Sequence, residues 1–182
     1  MDSKAYIAHL TQSLTKGAIS QRCDKPQIQI AFICLGNICR SPLAEGIAHA
    51  LQEKHLKENP ASLLQGLQCS SAGTSGLHSG ESIDDRSIAI AAKHGINIAH
   101  YKSKQVSLYA HGDMDLLLAM DKQNLATLRA MGFDSHKVML LGEFGLHGAE
   151  VPDPYYGGAS GFENVYTMLH TAISELFTQL EG

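Results

Sequence analysis

Residues 28–42 read Ile28-Gln29-Ile30-Ala31-Phe32-Ile33-Cys34-Leu35-Gly36-Asn37-Ile38-Cys39-Arg40-Ser41-Pro42. Two kinds of chain meet inside this stretch. Ile28 to Cys34 is an isoleucine-rich apolar run of strand length that ends at a glycine turn, the pattern of a buried strand. Ser41-Pro42 then opens a helix. Proline suits the first helical turn, where its missing N–H goes unused, and Glu45 in the following turn complements the helix dipole. A strand that feeds a helix through a short loop is the first half of a parallel βα unit.

The same alternation continues outward. The opening helix runs to about Lys57, and Leu67 to Ala72 forms a short strand before a Gly/Ser/Thr loop. Asp84 or Asp85 starts a helix that stops at His94-Gly95, with glycine as the C-terminal signal. Met114 to Met120 is a second strongly apolar strand, and Asp121 begins a helix to about Met131, stopped by Gly132. Lys137 to Leu141 is a fourth strand. A loop rich in Gly and Pro leads to a final helix over Phe162 to Leu180. This order predicts an α/β fold: a four-stranded parallel sheet with helices on both faces and an anion-binding loop after the first strand. On the other side of the opening stretch, residues 1–27 read as an N-terminal extension. There Tyr6, Ile7, Leu10 and Leu14 recur at helical spacing, and Gly17 and Pro26 bracket a linker. A short amphipathic helix and a poorly ordered terminus are both compatible with that pattern.

Bulk properties narrow the function classes. A chain of 182 residues suits one domain and buries a core without disulfides or metals. The formal charge of −4 argues mildly against nucleic-acid or anionic-membrane binding, and leaves room for a locally positive site. No stretch approaches the roughly 18–20 apolar residues of a membrane span, and residues 1–20 lack a secretory apolar run. The expectation is a cytoplasmic protein. Four cysteines (Cys23, Cys34, Cys39, Cys69) are few for a disulfide framework and lack the spacing of a zinc site, and the His residues are scattered. No metal and no cofactor are expected.

The loop between Cys34 and Ser41 carries the chemistry. A loop joining the C-terminal end of a strand to the N-terminus of a helix presents unpaired backbone N–H groups, which favour a phosphate-sized anion. Gly36 allows a tight turn, and Arg40 adds a planar fork for two phosphate oxygens. Cys34 at the edge of this cradle gains a field that favours the thiolate, the nucleophilic form. One loop therefore supplies nucleophile, clamp and charge stabilisation.

With Cys-x5-Arg-Ser near the start of its fold, the chain resembles the low-molecular-weight protein tyrosine phosphatases. Ser71-Ala-Gly-Thr74, Ala92-Lys-His94-Gly95-Ile96, Met120-Asp121-Lys-Gln-Asn124-Leu125 and Val151-Pro152-Asp153-Pro154-Tyr155 match family motifs in the family's order, from about residue 28 to 180. The resemblance implies that residues 28–182 form the phosphatase domain. Cys34 attacks phosphorus to give a phosphocysteine, while Arg40 and the N–H groups of Leu35, Gly36, Asn37, Ile38, Cys39 and Arg40 hold the phosphate. Asp153 acts as general acid and then base, without metal or cofactor. It further implies that Asn37 shapes the loop, Ser41 assists the Cys34 sulfur, His94 bonds Asn37, Asp121 orients Arg40 while capping its own helix, and Ser71 adds a supporting bond. The implied substrate is a phosphotyrosine protein or an aryl phosphate. Its slot would be formed by Ile38, Tyr155, Tyr156 and, where the family carries an aromatic wall, Leu77. The family's arginine phosphatases carry Thr where Ile38 stands, so Ile38 favours phosphotyrosine. Cys39 would form a reversible disulfide with Cys34, and the two tyrosines are themselves phosphorylation candidates. Arsenate reductases of the same fold need further downstream cysteines, and none follows Cys69. A phosphate-binding module without catalysis would lack Cys34 or Asp153.

Overall fold

A computed structural model describes residues 3–17 and 28–182. The linker, with Cys23 and Pro26, lies outside the described residues. The described elements are α1 (Ser3–Gly17), β1 (Ile28–Cys34), α2 (Arg40–Glu58), β2 (Leu67–Gly73), α3 (Asp85–Lys93), α4 (Leu108–His111), β3 (Leu116–Ala119), α5 (Lys122–Ala130), β4 (Val138–Leu140) and α6 (Ala159–Glu181). The four strands form one parallel sheet in the order β2-β1-β3-β4.

The apolar run of β1 is explained by its central place. Ile28, Ile30 and Phe32 face one core, with α1, α2, α3 and α6, while Ala31 and Ile33 face a second, which Leu128 of α5 and Phe133 share. A strand covered on both faces has no polar side, so periodicity two disappears from its sequence. β1 also has β2 on one side and β3 on the other, so the chain departs from it in both directions. In open parallel sheets, the crevice beyond the strand ends at such a reversal is where ligands bind.

Two helix starts follow their signals, while α6 begins at Ala159, ahead of the expected Phe162. Asp84 caps α3 by accepting from Arg86 N, and Asp121 caps α5 by accepting from Asn124 N. Gly95 and Gly132 follow the helix ends with φ of 76° and 94°, a region that favours glycine. α1 packs its Ile7 and Leu10 into the larger core, and Tyr6 Oη donates to the Asp115 carbonyl at 2.8 Å. Among the described residues no helix is long and apolar enough to cross a membrane. The one-turn helix α4 carries no strong periodicity and was not expected from the sequence.

Candidate active site

The loop after β1 lies at the C-terminal ends of β1 and β2, and its conformation is fixed by hydrogen bonds from three segments. Asn37, 1% exposed, adopts φ of 54°, a left-handed geometry that asparagine tolerates better than most residues. The tight turn therefore sits at Asn37 rather than Gly36. What Gly36 provides is room: a Cβ there would meet the His78 ring at 3.0 Å. Asn37 Nδ2 donates to Ser41 Oγ and Ser71 Oγ, each at 2.9 Å, and Asn37 Oδ1 accepts from Lys104 N at 2.9 Å. Ser71 Oγ in turn donates to Glu45 Oε2 at 2.6 Å. Ser103 Oγ donates to the Gly36 carbonyl at 2.9 Å. On the β2 side Gly73 is obligatory, since a Cβ there would lie 2.7 Å from the Leu35 carbonyl.

This frame places Cys34. Asn37 N points at Cys34 Sγ from 3.2 Å, and Ser41 Oγ lies 3.0 Å away. Both groups can stabilise a sulfur anion. Arg40, 3% exposed, donates from Nη1 to Asp121 Oδ2 at 2.7 Å and to the Val151 carbonyl at 3.1 Å, and from Nη2 to Asp153 Oδ2 at 2.9 Å. Asp121 thus caps α5 and orients Arg40 with the same carboxylate. Val151 N donates to the Met120 carbonyl at 2.8 Å, so the loop bearing Asp153 starts as a continuation of the β3 edge. The Asp153 carboxylate is partly exposed at the mouth, and its Oδ1 accepts from Tyr155 N at 3.0 Å.

Cys34, Arg40 and Asp153 line one cleft of about 280 Å³. Its walls are mainly apolar: Leu35, Ile38, Leu77, Tyr155 and Tyr156 line it together with Ser75 and His78. Leu77 is 79% exposed, leaving that side low and open. Tyr155 and Tyr156 meet edge to face, with centroids 5.1 Å apart. Cys39 is 5% exposed and lines the same cleft, and burial followed by Asp84 pushes its thiol up to about 12. Among the described residues no group of three or more His, Cys, Asp and Glu side chains is placed to hold a metal ion.

One expected contact is absent. His94 does not bond Asn37; its ring stacks on Tyr166 with centroids 3.7 Å apart, and its Nε2 lies 3.4 Å from Glu163 Oε1. The reason is topological. α3 touches the phosphate loop at its start, where Asp84 N donates to the Ile38 carbonyl. His94 caps the far end, on the order of 14 Å along the axis at 1.5 Å per residue. The polar atoms of Asn37 are met instead by Ser41, Ser71 and Lys104 N. The sequence marks Glu45 only as a helix-start signal, and gives no sign of the roles of His78, Arg86 and the segment Ser103-Lys104. Glu45 had a detectable signal, since it stands one helical turn after Ser41 on the same face. The segment acts partly through Lys104 N, a main-chain group that any residue but proline provides.

Comparison with known proteins shows the family. Residues 29–182 match the family described as low molecular weight phosphotyrosine protein phosphatase. The phosphatase of that name from Saccharomyces cerevisiae is 36% identical over 164 residues, covering 87% of this chain and 98% of the yeast protein. The crystal structure of a protein tyrosine phosphatase from Entamoeba histolytica superposes with a TM-score of 0.76 at 32% identity, covering 85% of this chain and 97% of that one. A Drosophila arginine phosphatase superposes with a TM-score of 0.75 at 26% identity, covering 85% and 99%. The fold and the site define a hydrolase of phosphate esters. The chain belongs to the low molecular weight protein tyrosine phosphatase family.

Proposed function

We propose that this phosphatase hydrolyses phosphotyrosine in proteins, and aryl phosphates, through a phosphocysteine formed on Cys34. The observation that carries this reading is the placement of Cys34 Sγ beside Asn37 N and Ser41 Oγ, in a cleft whose mouth holds Asp153 against Arg40. The catalytic unit is residues 28–182; residues 1–27 are an appended segment, of which α1 supports the end of the sheet remote from the cleft.

In the first step the Cys34 thiolate attacks phosphorus, the P–O bond to the phenol breaks, and Asp153 gives its proton to the leaving oxygen. The loop N–H groups and the Arg40 fork hold the three equatorial oxygens, whose charge needs fixed donors. Arg40 Nη2, which contacts Asp153, is the donor a phosphoryl oxygen would share. In the second step water attacks phosphorus, the Asp153 carboxylate takes its proton, and Cys34 leaves as thiolate. Ser41 Oγ supports that departure. Ile38, Leu77 and the two tyrosines form the walls of an aryl slot, whose apolar and aromatic faces suit a phenyl ring.

Replacing Cys34 with Ser is the direct test. Hydrolysis of p-nitrophenyl phosphate should fall at least about a thousandfold, while inorganic phosphate still binds. Residual turnover close to that of the wild type would sink the mechanism.

Cys39 acts in the same reading as a redox partner. Peroxide converts the Cys34 thiolate to a sulfenic acid; Cys39 attacks its sulfur, water leaves, and a disulfide forms that a dithiol reduces. Because the Cys39 thiol is pushed up to about 12, this closure is slow near neutrality. After peroxide treatment, a Cys39→Ser variant should recover less activity in dithiothreitol than the wild type. Equal recovery removes Cys39 from the scheme.

A further inference from the structure

Arg86 lies outside the catalytic set, yet it joins the two loops that must cooperate. The start of α3 is fixed to the phosphate loop: Asp84 N donates to the Ile38 carbonyl at 3.0 Å, and Ser87 Oγ to the Cys39 carbonyl at 3.3 Å. Arg86 is locked onto this platform. Its N and Nε both donate to Asp84 Oδ1 at 2.9 Å, and its Nη2 to Asp84 Oδ2 at 2.7 Å. The remaining arm reaches the acid loop, where Nη1 donates to the Tyr155 carbonyl at 2.9 Å and to the Gly157 carbonyl at 3.5 Å. The guanidinium also lies over the buried Phe162 ring at 4.7 Å and the Tyr155 ring at 5.5 Å.

Tyr155 is the residue whose N–H donates to Asp153 Oδ1. Its backbone is therefore held from both ends: the carbonyl by Arg86, and the N–H through the carboxylate proposed as the acid. The loop after Asp153 has two glycines in succession, Gly157 and Gly158, and its own turn is closed by Gly157 N donating to the Pro154 carbonyl at 2.9 Å. We propose that Arg86 is a positioning residue for Asp153, fixing the acid loop against the phosphate loop through the Tyr155 backbone. Lysine cannot replace it, because the function uses three differently directed nitrogens of one planar group.

This proposal rests on Asp153 being the general acid, and the experiment separates the two claims. The kcat/KM values for phenyl phosphate and dinitrophenyl phosphate are measured for wild type, Asp153→Asn and Arg86→Met, with inorganic phosphate as a competitive inhibitor. Phenolate is a poor leaving group and needs the proton; dinitrophenolate leaves without it. Asp153→Asn should lose far more on phenyl phosphate than on dinitrophenyl phosphate. Arg86→Met should repeat the pattern at smaller scale, losing roughly tenfold on phenyl phosphate and under about threefold on dinitrophenyl phosphate, a fraction of the usual general-acid contribution. Phosphate inhibition should stay within about twofold of wild type. Arg86→Lys should fall with Arg86→Met rather than with wild type. Equal losses on both substrates, no loss on either, or weakened phosphate inhibition would overturn the proposal, because Arg86 would then support the phosphate loop or nothing. If Asp153→Asn itself shows no dependence on the leaving group, the acid assignment falls, and the role of Arg86 falls with it.

Discussion

The floor and the mouth of the cleft are built by opposite means. On the floor Asn37, Arg40, Ser41 and Ser71 are all under 4% exposed, and each makes several hydrogen bonds. At the mouth Leu77 and Tyr156 are 79% and 94% exposed, and their side chains are held by little beyond ring contact and turn geometry. Buried polar groups are costly unless fully bonded, so the floor admits few alternatives. The mouth carries no such demand and can vary with substrate. Hydrogen-bonding demand thus constrains the floor and leaves the mouth free to vary.

The strongest way to break the contrast is to cut one floor residue. Asn37→Ala removes three hydrogen bonds, two of them to the buried Ser41 and Ser71 hydroxyls, and forces alanine into φ of 54°. Unpaired buried partners cost about 1–3 kcal/mol and the left-handed backbone about 1–2. A total of about 2–5 kcal/mol should be lost in denaturant unfolding, with kcat falling at least about tenfold. Asn37→Gly relieves the backbone but leaves the same bonds missing, so it should recover only the smaller part. A loss below about 1 kcal/mol for the alanine variant would show that the floor tolerates vacancies.

The mouth should respond by gain. Leu77→Trp restores an aromatic wall opposite Tyr155, and a stacked pair adds about 0.5–1.5 kcal/mol. The kcat/KM for phenyl phosphate should rise roughly 2–10-fold, since about 1.4 kcal/mol is a factor of ten, with phosphate inhibition unchanged. Unchanged kcat/KM would mean that residue 77 stands clear of the bound ring.

Floor and mouth also differed in how much the sequence disclosed. The loop between Cys34 and Ser41 was legible as a unit because a cysteine, a glycine, an asparagine and an arginine lie within seven residues between a strand and a helix. The four strands were legible from apolar runs, although β3 proved shorter than Met114–Met120, reaching only Leu116–Ala119. Capping residues at Asp84 and Asp121 carried their own local signal. What stayed hidden acts across the chain: Lys104 N on Asn37 at a separation of 67 residues, and Arg86 on the Tyr155 carbonyl at 69. Both ties use a main-chain atom as one partner, and main-chain atoms leave no trace in composition or spacing. His94 shows the converse. Its motif was legible, but α3 carries it away from the loop to stack on Tyr166.

The smallest effect concerns the platform beneath the mouth. Hydrogen bonds from Arg86 hold the Asp84 carboxyl below the usual carboxylate range, against a counter-effect of burial. A carboxyl with a depressed folded value stabilises the protein above its unfolded value of about 3.9, and that contribution is lost as pH falls through the lower folded value. Asp84→Asn removes the charge and keeps a competent helix cap, since Asn serves at that position as well as Asp. Because Arg86 is well exposed, solvent screening keeps the contribution of the pair small. Wild type should therefore exceed the variant slightly in stability at neutral pH, and the gap should close as pH drops into the acid range. A gap that persists in acid would assign the difference to geometry instead of charge. Arg86 would then be held mainly by Phe162 and the Tyr155 and Gly157 carbonyls, and the mouth would depend on α6 and its own loop more than on the phosphate-loop platform.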